Sequence, residues 1–167
     1  INAAISKEGI EFDTFEYDFK DKSNFNLYMR IQEKIKEFNP DVVILDLRLS
    51  QNDHENDEID TYTGIKILEK IHNINAGIQV IMLTATSKST ILEKLYEKKI
   101  LGYIKKEHPE DRNIDTVENI NKFIQLVDKG HGKKYLKEIW EIQHNILNLE
   151  ILNSDNKNPG KALLMKP

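Results

Sequence analysis

The order of apolar and polar positions along the chain predicts alternating strands and helices. Residues 10–18 (Ile-Glu-Phe-Asp-Thr-Phe-Glu-Tyr-Asp) alternate apolar and polar with aromatic enrichment, which predicts an edge strand with one wet face. After a polar turn, Leu27, Tyr28, Ile31, Ile35 and Phe38 recur at helical spacing over 25–38, and Asn39-Pro40 ends that helix. Residues 41–46 (Asp-Val-Val-Ile-Leu-Asp) form a continuous apolar run, as expected of a parallel strand covered on both faces. Helical spacing returns over 64–74 through Ile65, Ile67, Leu68 and Ile71. A second buried strand over 78–84 follows, then a helix over 88–99 with Ile91, Leu92 and Leu95 inward, then a short strand over 100–106.

Beyond Pro109 the pattern predicts a helix from about 115 to 128, interrupted by Gly130 and Gly132. From Tyr135 to Leu152 the residues Tyr135, Leu136, Ile139, Trp140, Ile142, Ile146, Leu147 and Leu149 make a stripe too broad for an exposed helix, so this segment is expected to pack on the domain or on a partner. Residues 1–9 read as the last turns of a helix closed by Gly9. The acidic stretch 50–61, with Asp53, Glu55, Asp57, Glu58 and Asp60, reads as a solvated loop, although its carboxylates could also serve as substitute metal ligands. The expected organisation is a domain over 1–129, a helical extension over 130–152 and a linker or tail over 153–167.

Composition narrows the function classes. A chain of 167 residues that is 39% hydrophobic and 31% charged can bury a real core and is neither disordered nor fibrous. With 24 Lys and Arg against 28 Asp and Glu, the net charge of -4 offers no broad attraction for nucleic acid, and no reading helix follows Gly132, so direct DNA binding is not expected. Absence of cysteine excludes disulfides, zinc-thiolate sites and a thiol nucleophile, and fits a reducing, cytoplasmic setting. No apolar run approaches the roughly 20 residues of a membrane helix, and no membrane role is expected. His54, His72, His108, His131 and His144 are scattered and are assigned no role.

A βαβα alternation implies an α/β fold with a doubly wound parallel sheet, whose functional groups gather at the carboxyl ends of the strands. Three successive strand ends carry Asp46, Thr84 and Lys106. A carboxylate, a hydroxyl and an ammonium on one rim suit an oxyanion: the carboxylate can attack phosphorus while the other two hold the transferred oxygens. Phosphoryl transfer to Asp46 is therefore the chemical reading, and a bound Mg²⁺ held by carboxylates, a backbone carbonyl and water would bring the two anions together. Each residue also has a plainer reading. Asp46 could cap a loop, Thr84 or Ser87 could cap the following helix, Tyr103 could be strand packing, and strand alternation alone does not choose between Lys105 and Lys106.

At these residues the chain resembles the receiver domains of two-component response regulators. The resemblance rests on Pro40-Asp-Val-Val-Ile-Leu-Asp46-Leu-Arg-Leu49, Thr63-Gly64-Ile-Lys-Ile-Leu68, Val80-Ile-Met-Leu-Thr84-Ala85 and Gly102-Tyr103-Ile-Lys-Lys106, in that order from about residue 10 to 128. It implies a flavodoxin-like sheet of strand order 2-1-3-4-5. It also implies Asp46 as phosphoacceptor, Thr84 as switch hydroxyl, Tyr103 as switch aromatic, Lys106 as the ion-pairing lysine, and the Arg48 carbonyl beside Asp46 as a metal ligand. The partner so implied is a histidine kinase or phosphotransfer protein, and the only chemistry is Mg²⁺-dependent self-phosphorylation and dephosphorylation.

Departures from the family pattern set further expectations. The acidic pair that holds Mg²⁺ should end a first strand, and none stands in this text, so that strand is expected upstream of Ile1. The segment between Asp46 and Gly64 runs about ten residues longer than the family pattern, and Glu107 stands where many members have proline. A pseudo-receiver, a binding module without phosphorylation, is the first alternative. A haloacid-dehalogenase-like phosphatase also uses a strand-end aspartate, but it needs a second one two residues on, where this chain has Arg48. A homodimer through the helix from Tyr135 to Leu152 is a further expectation.

Overall fold

The computed structural model describes residues 10–17, 24–50, 52–55, 58–86, 88–106 and 116–154. Helix α1 (Asn24–Phe38) buries Leu27, Ile31 and Ile35, one residue per turn on a single face. It stops at Asn39, whose amide donates to the Ile35 carbonyl at 2.8 Å and whose φ of 48° lies in the left-handed region that asparagine tolerates. Pro40 then forbids another turn.

Three parallel strands follow: β1 (Val42–Asp46), β2 (Gln79–Thr84) and β3 (Gly102–Lys105), hydrogen-bonded in the order β1-β2-β3. Val42 pairs with Gln79 through to Asp46 with Leu83, and Ile81 pairs with Gly102 through to Thr84 with Lys105. Alternation along the strands sorts their side chains to two faces. Leu45, Val80 and Met82 join α1, helix α3 (Thr63–Ile74) and helix α4 (Ser89–Glu97) in one core with Ile65, Leu68, Ile71, Ile91 and Leu95. Val42, Ile81, Leu83 and Ile104 pack against Phe123, Leu126 and Val127 of helix α5 (Thr116–His131). The result is a helix–sheet–helix sandwich, each buried Leu, Ile, Val or Met side chain contributing about 1.5–3 kcal/mol. This parallel α/β architecture is the expected one. Its three strands form the run that positions 3-4-5 of the order 2-1-3-4-5 would show, and the other two positions have no strand among the described residues.

Helix α6 (Tyr135–Ser154) is rooted at the opposite end of the sheet from Asp46. Lys137 is 6% exposed and donates to the Asn39 carbonyl at 2.8 Å and to Asp41 at 2.9 Å. Asn75 donates to the Lys137 carbonyl at 3.3 Å, and a Cβ on Gly77 would lie 2.3 Å from the carbonyl carbon of Leu136, so only glycine admits the helix this close. From residue 141 to 148 every side chain of α6 is exposed.

Three expectations need correction. Residues 10–17 form no strand. Alternation supplies a face but not a ladder, and no described strand lies beside β1 for them to extend. Phe15 and Tyr17 instead stack at 6.4 Å and take the Arg30 guanidinium of α1 at 5.6 and 5.5 Å, while Asp13 pairs with Lys34. Second, the stretch 50–61 is not simply a solvated loop: it folds into helix α2 (Asn52–Glu55) and a 3-10 turn (Ile59–Thr61), burying Asp53 and Ile59. Third, Gly130 does not interrupt α5, which runs to His131. Its missing side chain lets α5 lie against β1, since a Cβ there would sit 2.5 Å from Val42. The turn comes at Gly132, whose amide bonds the Asp128 carbonyl at 2.9 Å. The expected helix over 1–9, Asp18, Ser87, Glu107, His108 and the tail from 155 lie outside the described residues.

Candidate functional site

Because the three strands are parallel, their last residues share one edge of the sheet, and the ladder continues one step past β1 and β3. The Leu47 amide donates to the Leu83 carbonyl at 2.9 Å, and the Lys106 amide donates to the Thr84 carbonyl at 2.7 Å. Asp46 closes β1, Thr84 closes β2, and Lys106 follows β3 directly. Side chains at paired positions point to the same face, which places Asp46, Leu83 and Lys106 together and turns Thr84 and Lys105 the other way.

The contacts follow that alternation. The Lys106 ammonium pairs with Asp46 Oδ2, and the Arg48 amide donates to Asp46 Oδ1 at 3.3 Å. Lysine 106, not 105, therefore meets the carboxylate. The side chains of Asp46 and Lys106 are 25% and 42% exposed, so the pair is open to a solvent-borne reactant. Thr84 is 2% exposed, and its hydroxyl accepts from the Thr86 amide at 3.1 Å. Among the described residues no hydrogen bond joins that hydroxyl to Asp46 or Lys106. Tyr103 is half-buried against the first core, edge-on to Tyr96 at 6.0 Å, with the Lys122 ammonium 4.4 Å above its ring.

The segment after Asp46 is braced from two sides. The Arg48 guanidinium lies 4.8 Å over the ring of fully buried Tyr62 and donates to its hydroxyl at 2.7 Å. Asp53 accepts from the Leu49 and Ser50 amides, both at 2.9 Å, and from the Thr63 amide and hydroxyl, both at 3.0 Å. Burial pushes the Asp53 carboxyl up, but these bonds outweigh it and hold the group below the usual carboxylate range. With all four acceptor positions taken, Asp53 has no lone pair left for a metal. Gly64 closes the segment: its amide bonds the Leu47 carbonyl at 3.2 Å, and a Cβ would lie 2.3 Å from the Asp46 carbonyl oxygen.

As for Mg²⁺, the described residues offer one site carboxylate, Asp46, and the neighbouring Arg48 carbonyl. Among them no three His, Asp or Glu side chains cluster as metal ligands. Mg²⁺ keeps several of its own waters and takes few protein oxygens, so Asp46 and the Arg48 carbonyl suit a share of its shell.

Asp53 and Tyr62 are the residues whose part in the site the chain's pattern does not disclose. Asp53 sits among five acidic residues that look alike in sequence, and Tyr62 shows no periodicity of its own. Gly64 stands within the motif from Thr63 to Leu68.

No curated protein matches the chain. A family model does: the response regulator receiver domain matches residues 17–118, more than half of the chain and the whole of the three-strand rim. With Asp46 and Lys106 paired at that rim of a parallel sheet, the chain belongs to the response regulator receiver domain family, the signalling module of two-component systems.

Proposed function

We propose that this receiver accepts a phosphoryl group on Asp46 from a histidine kinase or phosphotransfer protein and thereby switches a partner surface. The pairing of Asp46 with Lys106 carries the reading, because a lysine held at one carboxylate oxygen leaves the other to react. Oδ1, whose partner is the Arg48 amide at 3.3 Å, attacks phosphorus. The bond from phosphorus to the donor's imidazole nitrogen breaks, that nitrogen keeps the electron pair, and an acyl phosphate remains on Asp46. Lys106 then neutralises the added oxygens.

Thr84 and Tyr103 are the proposed switch. The Thr84 hydroxyl accepts from the Thr86 amide, which leaves its own proton to donate to a phosphoryl oxygen once the side chain turns toward Asp46, and Tyr103 repacks between Tyr96 and Lys122 as it does so. Receiver domains generally bind Mg²⁺ at this site. Here Asp46 and the Arg48 carbonyl would be two of its ligands. The role is signalling in the cytoplasm rather than turnover of a substrate, without direct contact to nucleic acid, and among the described residues no helix is long and apolar enough to cross a membrane.

The proposed self-association uses α6. Tyr135, Ile139, Ile142 and Ile146 are all exposed and follow one another at spacings of four, three and four residues, the spacing of a coiled-coil seam. A second copy presents the same seam, and a helix projecting from residue 141 without a partner would be marginal in water.

The pseudo-receiver is the second reading, favoured by the strand alternation that turns the Thr84 side chain away from the face shared by Asp46 and Lys106. The phosphatase reading is weaker, since Arg48 holds the place of its second aspartate. Incubation with acetyl phosphate and Mg²⁺ separates the first two: uptake of one phosphate that Asp46→Asn abolishes supports the phosphoacceptor, and no uptake supports the binding module.

A further inference from the structure

We infer that Asp53 is a positioning residue for phosphoryl transfer at Asp46, an inference that rests on the phosphoacceptor reading above. Asp53 belongs to the long segment between Asp46 and Gly64, where it is 4% exposed although surrounded in sequence by acidic residues. Its two oxygens accept four hydrogen bonds, two from the amides of Leu49 and Ser50 and two from Thr63. These donors lie on the two ends of the segment, so one carboxylate ties its exit to its return.

What is tied is the backbone of the reactive centre. Leu49 and Ser50 directly follow Arg48, whose amide holds Asp46 Oδ1 at 3.3 Å. Thr63 directly precedes Gly64, whose amide bonds the Leu47 carbonyl at 3.2 Å. The residues flanking both sides of the Asp46 turn are thus fixed through Asp53, and release of either side lets the Arg48 amide drift from the attacking oxygen. Because reacting atoms must meet within a few tenths of an ångström, such drift costs rate before it costs the fold. A carboxylate is required: an asparagine would turn an amide group toward two of the four donors and leave them unpaired.

The test measures the rate of acetyl phosphate labelling of Asp46 in the full chain, for the parent, Asp53→Asn, Thr63→Val and Lys137→Met. The last variant weakens the fold at the far end of the sheet and serves as the stability control. Thr63→Val removes the hydroxyl, with its contacts to Asp53 and to Ser50 Oγ at 3.1 Å, keeps the amide bond to Asp53, and keeps the test open should Asp53→Asn fail to fold. We expect labelling at least about tenfold slower in Asp53→Asn, a smaller slowing in Thr63→Val, the parent rate in Lys137→Met, and displaced Arg48 and Leu49 amide resonances in the first two. Parent rates in the folded Asp53 and Thr63 variants, or equal slowing in Lys137→Met, overturn the inference alone. A parent that takes no phosphate overturns the phosphoacceptor reading and this inference with it.

Discussion

Lys106 reaches Asp46 across an intervening strand. β2 lies between β1 and β3, so the two side chains bridge two strand spacings, roughly 9–10 Å of backbone separation, over the rim at Leu83. Such a reach needs a long flexible cation, and arginine or histidine would place its charge differently. Lys106→Met should therefore keep the fold, since the lysine is 42% exposed, while slowing phosphorylation of Asp46 by about 10²–10³-fold, the usual loss when one oxyanion-stabilising donor is removed. Circular dichroism together with the labelling rate checks both halves.

Gly64 joins the site to the fold. A Cβ there would stand 2.3 Å from the Asp46 carbonyl oxygen and 2.6 Å from that of Leu47, and both are backbone atoms that cannot swing aside. Gly64→Ala is expected to cost about 1–3 kcal/mol in urea unfolding and to slow labelling as well, whereas lost stability with an unchanged labelling rate would show that the contact relaxes without moving Asp46.

Lys137 anchors α6. Its charge is buried against Asp41, whose side chain is 30% exposed, and against the Asn39 carbonyl. Breaking a fully buried pair costs about 3–5 kcal/mol, and the partial exposure of Asp41 brings the expected cost of Lys137→Met to about 1–3 kcal/mol. Equilibrium unfolding in urea measures it.

His72 sets a pH dependence near neutrality. Burial, with a smaller contribution from Lys99, holds its imidazole below the usual value of about 6.5. The unfolded chain then takes up a proton that the folded chain refuses, so stability falls as pH drops below about 6.5 and goes on falling until the folded imidazole itself titrates. His72→Gln should lose less stability between pH 7.5 and 5.5 than the parent, as chemical denaturation at the two pH values would reveal.

Ile142 is 59% exposed at the middle of the α6 seam. Replacing it with aspartate should convert a dimer of the full chain to a monomer in sedimentation equilibrium while leaving circular dichroism intact. A parent already monomeric at high concentration would remove the second copy as the occupant of that face.

Much of the fold was legible because its cores obey simple periods. Ile65, Leu68 and Ile71 recur once per turn, and residues 42–45 run apolar without a break, so α3 and β1 could be read within a residue or two. The rim was legible for a related reason: parallel strands put their last residues together whatever surrounds them. Other features depend on partners remote in sequence. The alternation of residues 10–17 was real, but a strand exists only beside another strand. Asp53 looked like its acidic neighbours until the amides at 49, 50 and 63 converged on it. Lys137 carries no mark in the sequence, since its burial follows from docking against Asn39 and Asp41. Gly130 looked like a helix break because the close approach of Val42 that makes glycine necessary is a tertiary contact.

The most direct measurement is the intact mass of the full-length protein after incubation with acetyl phosphate and Mg²⁺, followed by peptide mapping. Gain of a single phosphoryl group on Asp46, absent from Asp46→Asn and strongly reduced in Lys106→Met, is the expected result. An unchanged mass for the parent, or a phosphoryl group that persists in Asp46→Asn, would contradict Asp46 as the phosphoacceptor.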